Sequence, residues 1–149
     1  MIRDALNTNS TAAQVLDESV LNALGQLKGR ARPDFVNQVI IIFLETALAL
    51  LADLKNGSET GQVAMLHHAS HALKGSSATI GAASLSVLCG ELEGVARTGA
   101  VPDAPARVDA IVEEYRRVEA ALISRLAKRS EASRAQGGPR AAPQPTEQS

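Results

Sequence analysis

From residue 17 to residue 126 the apolar positions recur three and four apart, with polar residues between them, the spacing of helices that bury one face. Asp17 suits the N-cap of a short helix carrying Val20, Leu21, Leu24 and Leu27, with Gly29 as its stop. Pro33 and Asp34 open a long helix whose inward positions are Val36, Ile40, Phe43, Ala47, Leu50, Leu51 and Leu54, and Asn56-Gly57 is expected to end it. Val39 to Leu44 alone has the propensity of a strand. Its place inside a helical pattern of about twenty residues decides for helix, because strands usually run about 4–8 residues.

A third helix is predicted from Gln62 to Ile80, with Val63, Leu66, Ser70, Leu73, Ser77 and Ile80 on one face, and Gly81 marks the bend after it. The fourth spans Ala82 to Thr98 with Leu85, Leu88, Cys89, Leu92 and Ala96 inward, and Gly99 stops it. The fifth runs from Asp103 to Lys128 along Val108, Ile111, Tyr115, Val118, Leu122 and Leu126. Amphipathic helices with short connections and no strand-like alternation make an all-α chain, an antiparallel helical bundle.

Composition sharpens this picture. Aromatic residues are 2% of the 149 positions, so the core rests on Leu, Val, Ile and Ala, which favours helices over a sheet sandwich. The formal net charge of −1 argues against a nucleic-acid binder held by a broad basic face. Cys89 stands alone and cannot form an internal disulfide. The first ten residues lack the apolar core of a signal peptide. The most apolar stretch, Val39 to Leu51, is broken by Glu45 and Thr46 and reads as too short for a bilayer. The expectation is a cytoplasmic monomer without membrane insertion. Residues 1–15 form an N-terminal extension and 16–129 the bundle. Residues 130–149, with three of the six prolines and no large aliphatic side chain, are expected to form a flexible tail or the remnant of a linker.

The third helix carries the informative run, His67-His68-Ala69-Ser70-His71-Ala72-Leu73-Lys74-Gly75-Ser76-Ser77. At about 100° per residue, His71 lies about 130° from the centre of the apolar stripe and Gly75 lies almost opposite that centre. His71 therefore faces solvent, with Gly75 one turn further along and Lys74 on its flank. Glycine inside a helix costs about 1 kcal/mol relative to alanine, and a bare strip on a solvated face gains nothing for folding. Such a strip does let another macromolecule bring a reactive atom up to the imidazole. Histidine is partly neutral, and so nucleophilic, near neutral pH. Lys74 disfavours the charged ring by repulsion, and its ammonium would neutralise part of an attached phosphoryl group.

The string His71-Ala72-Leu73-Lys74-Gly75-Ser76-Ser77, followed by Ile80-Gly81-Ala82, Leu85, Leu88-Cys89, Leu92-Glu93 and Arg97, resembles the histidine-containing phosphotransfer (HPt) domain of two-component phosphorelays. The resemblance implies an antiparallel four-helix bundle with a short additional N-terminal helix. It implies that His71 accepts a phosphoryl group from a receiver-domain aspartyl phosphate and passes it to another receiver, in a hybrid histidine kinase or a response regulator. Lys74 would support the phosphoryl oxygens, Gly75 would permit close docking and Ser76 would lie near enough to donate a hydrogen bond. Glu93 would sit beside the imidazole and fix its tautomer, favouring the charged ring against the influence of Lys74. No phosphate loop or nucleotide-binding motif stands in the sequence. The chain is therefore expected to be a phosphocarrier and not an enzyme, without a cofactor of its own, Mg²⁺ being supplied by the partner receiver.

Plainer readings stand beside these. His71 alone is an incidental surface histidine, and Lys74 a solvated helix residue. Glu93 is equally placed to pair with Arg97 four residues on. Ser76 and Ser77 also suit a close helix crossing, and Cys89 the core. His67 and His71 have the spacing of a two-histidine metal pair, but His68 stands where a zinc protease needs Glu. The rival functions are a helical module that binds receivers without phosphorylation, and a helical metal-binding protein. Ile41, Ile42 and Leu44 fall outside the main stripe of the second helix. The N-terminal segment with Ile2, Leu6, Val15 and Leu16, a second copy of the chain or a docked receiver could each cover them.

Overall fold

The computed structural model describes residues 15–26 and 33–141, with side chains for 15–26 and 35–127. Among the described residues there are five helices and no strand: α1 (Glu18–Gln26), α2 (Pro33–Thr60), α3 (Val63–Thr79), α4 (Ala83–Ala96) and α5 (Ala104–Ala141). Helices α2 to α5 pack in sequence, and α5 closes back on α2, while α1 lies against α2. This is the expected four-helix bundle with one additional N-terminal helix.

The stripe positions fill one core. Leu21, Ile40, Leu54, Leu66, Leu73, Ile80, Leu85, Leu92, Ile111 and Leu122 are fully buried, and Phe43 and Tyr115 meet there with ring centroids 6.2 Å apart. Val15 and Leu16 are buried in the same cluster. Ile2, Leu6, Leu27 and Gly29 lie outside the described residues. Ile41, Ile42 and Leu48 are exposed on α2, and Leu44 is half-buried.

Asp17 caps α1 as its position suggests: one carboxylate oxygen accepts from the Ser19 backbone N–H at 3.0 Å and from the Ser19 hydroxyl at 2.6 Å. The Asp17 backbone N–H also donates to the Gly81 carbonyl at 2.8 Å. That bond fixes the start of α1 to the α3–α4 corner. Gly81 itself has φ +82, and a Cβ there would lie 2.8 Å from the Asp17 carbonyl oxygen. Only glycine meets both demands. Arg125 of α5 holds the other side of α1 through Glu18.

Two helix ends and one apolar span differ from the sequence reading. Asn56-Gly57 does not end α2, which continues to Thr60. Gly57 is buried, and a Cβ on it would come within 3.2 Å of Leu66, so this glycine serves close packing of α2 on α3. Gly61, at φ +71, makes the stop. Helix α5 runs past Lys128 to Ala141, so the first twelve positions of the segment expected as a tail continue a helix, and residues 142–149 lie outside the described part. At 28 residues, about 42 Å at 1.5 Å per residue, α2 is also long and apolar enough to cross a membrane by length and composition. The shorter span inferred from Glu45 and Thr46 is corrected. In the bundle, Val36, Ile40, Phe43, Ala47, Leu51 and Leu54 of this helix form part of the core.

Candidate functional site

The site is built on facing turns of α3 and α4. Leu66, Ala69, Ser70, Leu73 and Ser77 turn inward and fix the rotation of α3. The opposite face then carries His71, whose side chain is 65% exposed, together with exposed Ala72, Gly75 and Ala78. A Cβ built on Gly75 meets nothing within 4 Å. The sequence-derived picture of an imidazole on a bare strip therefore holds.

On α4, burial of Leu85, Cys89, Leu92 and Ala96 sets Glu93 against α3. Its side chain is only 3% exposed. A buried carboxylate needs cationic or hydrogen-bonding partners, and this one gathers several. His71 Nδ1 lies 2.7 Å from Oε2, Lys74 Nζ lies 2.7 Å from Oε1, and Arg97 donates to Oε2 at 3.1 Å. His67 Nε2 stands 4.0 Å from Oε2. The hydrogen bond from Lys74, then that from His71, holds the Glu93 carboxyl far below the usual carboxylate range, at about 2, against the opposing effect of burial. Glu93 is thus ionised, and the two readings of it meet in one contact set: it pairs with Arg97 and also lies in hydrogen-bond contact with His71 Nδ1.

Lys74 departs from the simplest expectation. Its ammonium is not free beside the imidazole but held on Glu93. Gly90 of α4 makes room for it, since a Cβ there would lie 3.2 Å from Lys74 Cδ. The Ser86 hydroxyl donates to the Lys74 carbonyl at 3.1 Å and ties α4 to the same turn. Ser76 is not brought to His71, because its hydroxyl donates back to the Ala72 carbonyl at 3.0 Å. Ser77 is buried on the opposite face. His68 is exposed, and among the described residues no group of three or more His, Cys, Asp or Glu side chains is arranged to hold a metal ion. Cys89 is buried, and burial pushes its thiol up to about 12.

Sequence reasoning did not foresee the burial of Glu93 or the nearness of His67. The one available signal was the position of Glu93 next to Leu92 on the inward side of α4, four residues after Cys89.

The site is thus an exposed imidazole on a helical bundle, held by a buried carboxylate of the neighbouring helix. Comparison with known proteins names the family. The model of the Hpt domain family matches residues 38–121, more than half of the chain, and the chain belongs to that family. Among solved structures it is similar to histidine-containing phosphotransfer protein B (HptB) from Pseudomonas aeruginosa PAO1, with 28% sequence identity and a TM-score of 0.72. The similarity covers 78% of this chain and 97% of that one. Among curated proteins none matches. The chain thus has the histidine phosphotransfer role of its family in phosphorelays, that of a phosphocarrier.

Proposed function

We propose that His71 is the residue that carries the phosphoryl group, taking it from the aspartyl phosphate of one receiver domain and giving it to the aspartate of another. The observation that carries this reading is the Nδ1···Glu93 contact of 2.7 Å on an otherwise exposed ring. An ionised carboxylate can only accept, so in the neutral ring Nδ1 bears the proton and the lone pair is on Nε2. Catalysis in phosphoryl transfer is mostly positioning and charge stabilisation. The histidine protein then needs to supply a nucleophile of fixed orientation, open ground around it at Gly75, and a cation. Lys74 is that cation, reaching the phosphoryl oxygens by leaving Glu93. The Mg²⁺ belongs to the receiver, and the chain works in the cytoplasm as a monomer without phosphorylating itself from ATP.

The test is incubation with a receiver domain carrying labelled aspartyl phosphate. Label moves to the wild-type protein and stays on the receiver with His71→Gln. Label that stays on the receiver in both cases would favour a module that binds receivers without phosphorylation.

A further inference from the structure

When Lys74 moves to the phosphoryl oxygens, it leaves behind a carboxylate whose side chain is 3% exposed. A buried charge that loses a partner is costly, so the groups around Glu93 decide how easily Lys74 can go. Arg97 of α4 already donates to Oε2 at 3.1 Å, and His71 Nδ1 lies 2.7 Å from the same oxygen. One further group is near without being engaged. His67, one turn before His71 on α3, has its Nε2 4.0 Å from Oε2, outside hydrogen-bond range. Its side chain is 39% exposed, in contact with water and with room to close that gap. The Ser70 hydroxyl bonds the His67 carbonyl at 3.1 Å and leaves the ring free to turn.

The charges facing His67 are Glu93 and Arg97 of α4, with His71 and Lys74 on its own helix. With both imidazoles neutral, this cluster holds one anion and two cations, a balance of +1. A proton on His67 would raise the balance to +2, against repulsion from the two cations. Acceptance of a PO3⁻ unit by His71 lowers the balance to zero and draws Lys74 away from the carboxylate. Both changes favour a positive charge on His67. An imidazole gains or loses its proton near neutral pH, so the compensation is within reach.

We infer that His67 is a positioning residue that takes up one proton when His71 is phosphorylated and replaces Lys74 as a partner of Glu93. The inference rests on the assignment of His71 as the phosphoryl carrier. In the accepting step the N–P bond forms on His71 while the P–O bond to the receiver's aspartate breaks, its electron pair leaving with that carboxylate. Lys74 follows the phosphoryl oxygens, His67 takes a proton from water, and its Nε2 closes on Oε2. Donation reverses each change: phosphorus passes to the incoming carboxylate, Lys74 returns to Oε1, and His67 releases its proton. The transfer equilibrium is thereby linked to pH, acid favouring the phosphorylated histidine protein.

The test uses the full chain with ¹⁵N-labelled histidine. The His67 ring is titrated by nitrogen NMR between pH 6 and pH 8.5, before and after loading with excess phosphoramidate as a small-molecule donor. Its midpoint is expected to rise by about one pH unit on phosphorylation. The equilibrium with a receiver domain carrying labelled aspartyl phosphate is then measured at pH 6 and pH 8 in wild type, His67→Gln and His67→Lys. The same receiver serves all three, so its own pH dependence cancels. A rise of one unit from the ordinary histidine value of about 6.5 shifts the wild-type equilibrium about sixfold more than that of His67→Gln between the two pH values. His67→Lys, a permanent cation, should hold the phosphoryl group about tenfold better than His67→Gln at both. An unmoved His67 midpoint, or superimposable profiles of wild type and His67→Gln, would overturn this inference alone. Phosphorus on His67, or none on the wild type, would overturn the carrier assignment and this inference together.

Discussion

Replacing Gly75 separates what folding needs from what transfer needs, because the two should move in opposite directions. Gly75 lies in the interior of α3, one turn after His71, and is exposed. A Cβ at this position has nothing within 4 Å, so alanine introduces no clash. The Thr79 hydroxyl bonds the Gly75 carbonyl at 3.0 Å, a contact to the backbone that does not depend on the side chain. What remains is helix propensity, worth about 1 kcal/mol in favour of alanine over glycine. A domain of this size shifts its Tm by roughly 4 °C per kcal/mol. Gly75→Ala should therefore melt about 4 °C higher by circular dichroism at 222 nm, and Gly75→Gln should also gain, since glutamine ranks close to alanine in helices.

Transfer from a phosphorylated receiver should respond differently. The alanine methyl is small enough for docking to continue. The glutamine side chain stands on the approach to the His71 ring and should slow transfer about tenfold or more, equivalent to about 1.4 kcal/mol of lost transition-state stabilisation. Both halves carry risk. A lower Tm in either variant would show that the glycine serves the fold. An unchanged transfer rate in Gly75→Gln would show that the partner does not approach over this turn.

Other consequences follow from the same contacts. Gly81→Ala places a Cβ 2.8 Å from the Asp17 carbonyl at φ +82; left-handed backbone costs alanine about 1–2 kcal/mol and the lost Asp17–Gly81 bond about 1 kcal/mol more. Tm should fall by about 10 °C, and an unchanged melting curve would remove the corner as an anchor of α1. Because the folded Glu93 carboxyl sits at about 2, below its ordinary 4.5, its stabilising effect is full above pH 4.5 and fades as pH falls towards 2. The Tm difference between wild type and Glu93→Gln should accordingly shrink across that window, and a gap that stays constant would contradict the ion cluster. Cys89, buried with its thiol at about 12, should react with iodoacetamide at pH 8 only after unfolding; rapid labelling of the native protein would place it elsewhere.

How far the sequence carried the reading depends on the range of each interaction. The faces of the helices follow from spacing within about two turns, so the exposure of His71 and Gly75 and the burial of Leu66, Leu73 and Leu92 were legible before any packing was known. The end of α2 was not. Gly57 and Gly61 look alike as letters, and only the approach of Leu66 gives the first a packing role and leaves the second as the stop. Glu93 shows the same limit at the site. Its partners His71 and Lys74 lie 22 and 19 positions earlier in the chain, and whether they reach one carboxylate depends on how α3 and α4 cross. Hydrophobic spacing gives no information on that crossing. The apolar span of α2 was underestimated for a related reason: Glu45 and Thr46 interrupt the apolar run on a face that the bundle leaves open.

The central claim concerns which atom receives phosphorus. Wild type, His67→Gln and His71→Gln would each be exposed to the same phosphorylated receiver, and the modified position mapped by phosphorus-detected NMR and by fragmentation of the intact chain. Phosphorus on Nε2 of residue 71 in the wild type and in His67→Gln, with none in a folded His71→Gln, is the predicted result. Phosphorus that persists when the residue 71 imidazole is gone would contradict the account.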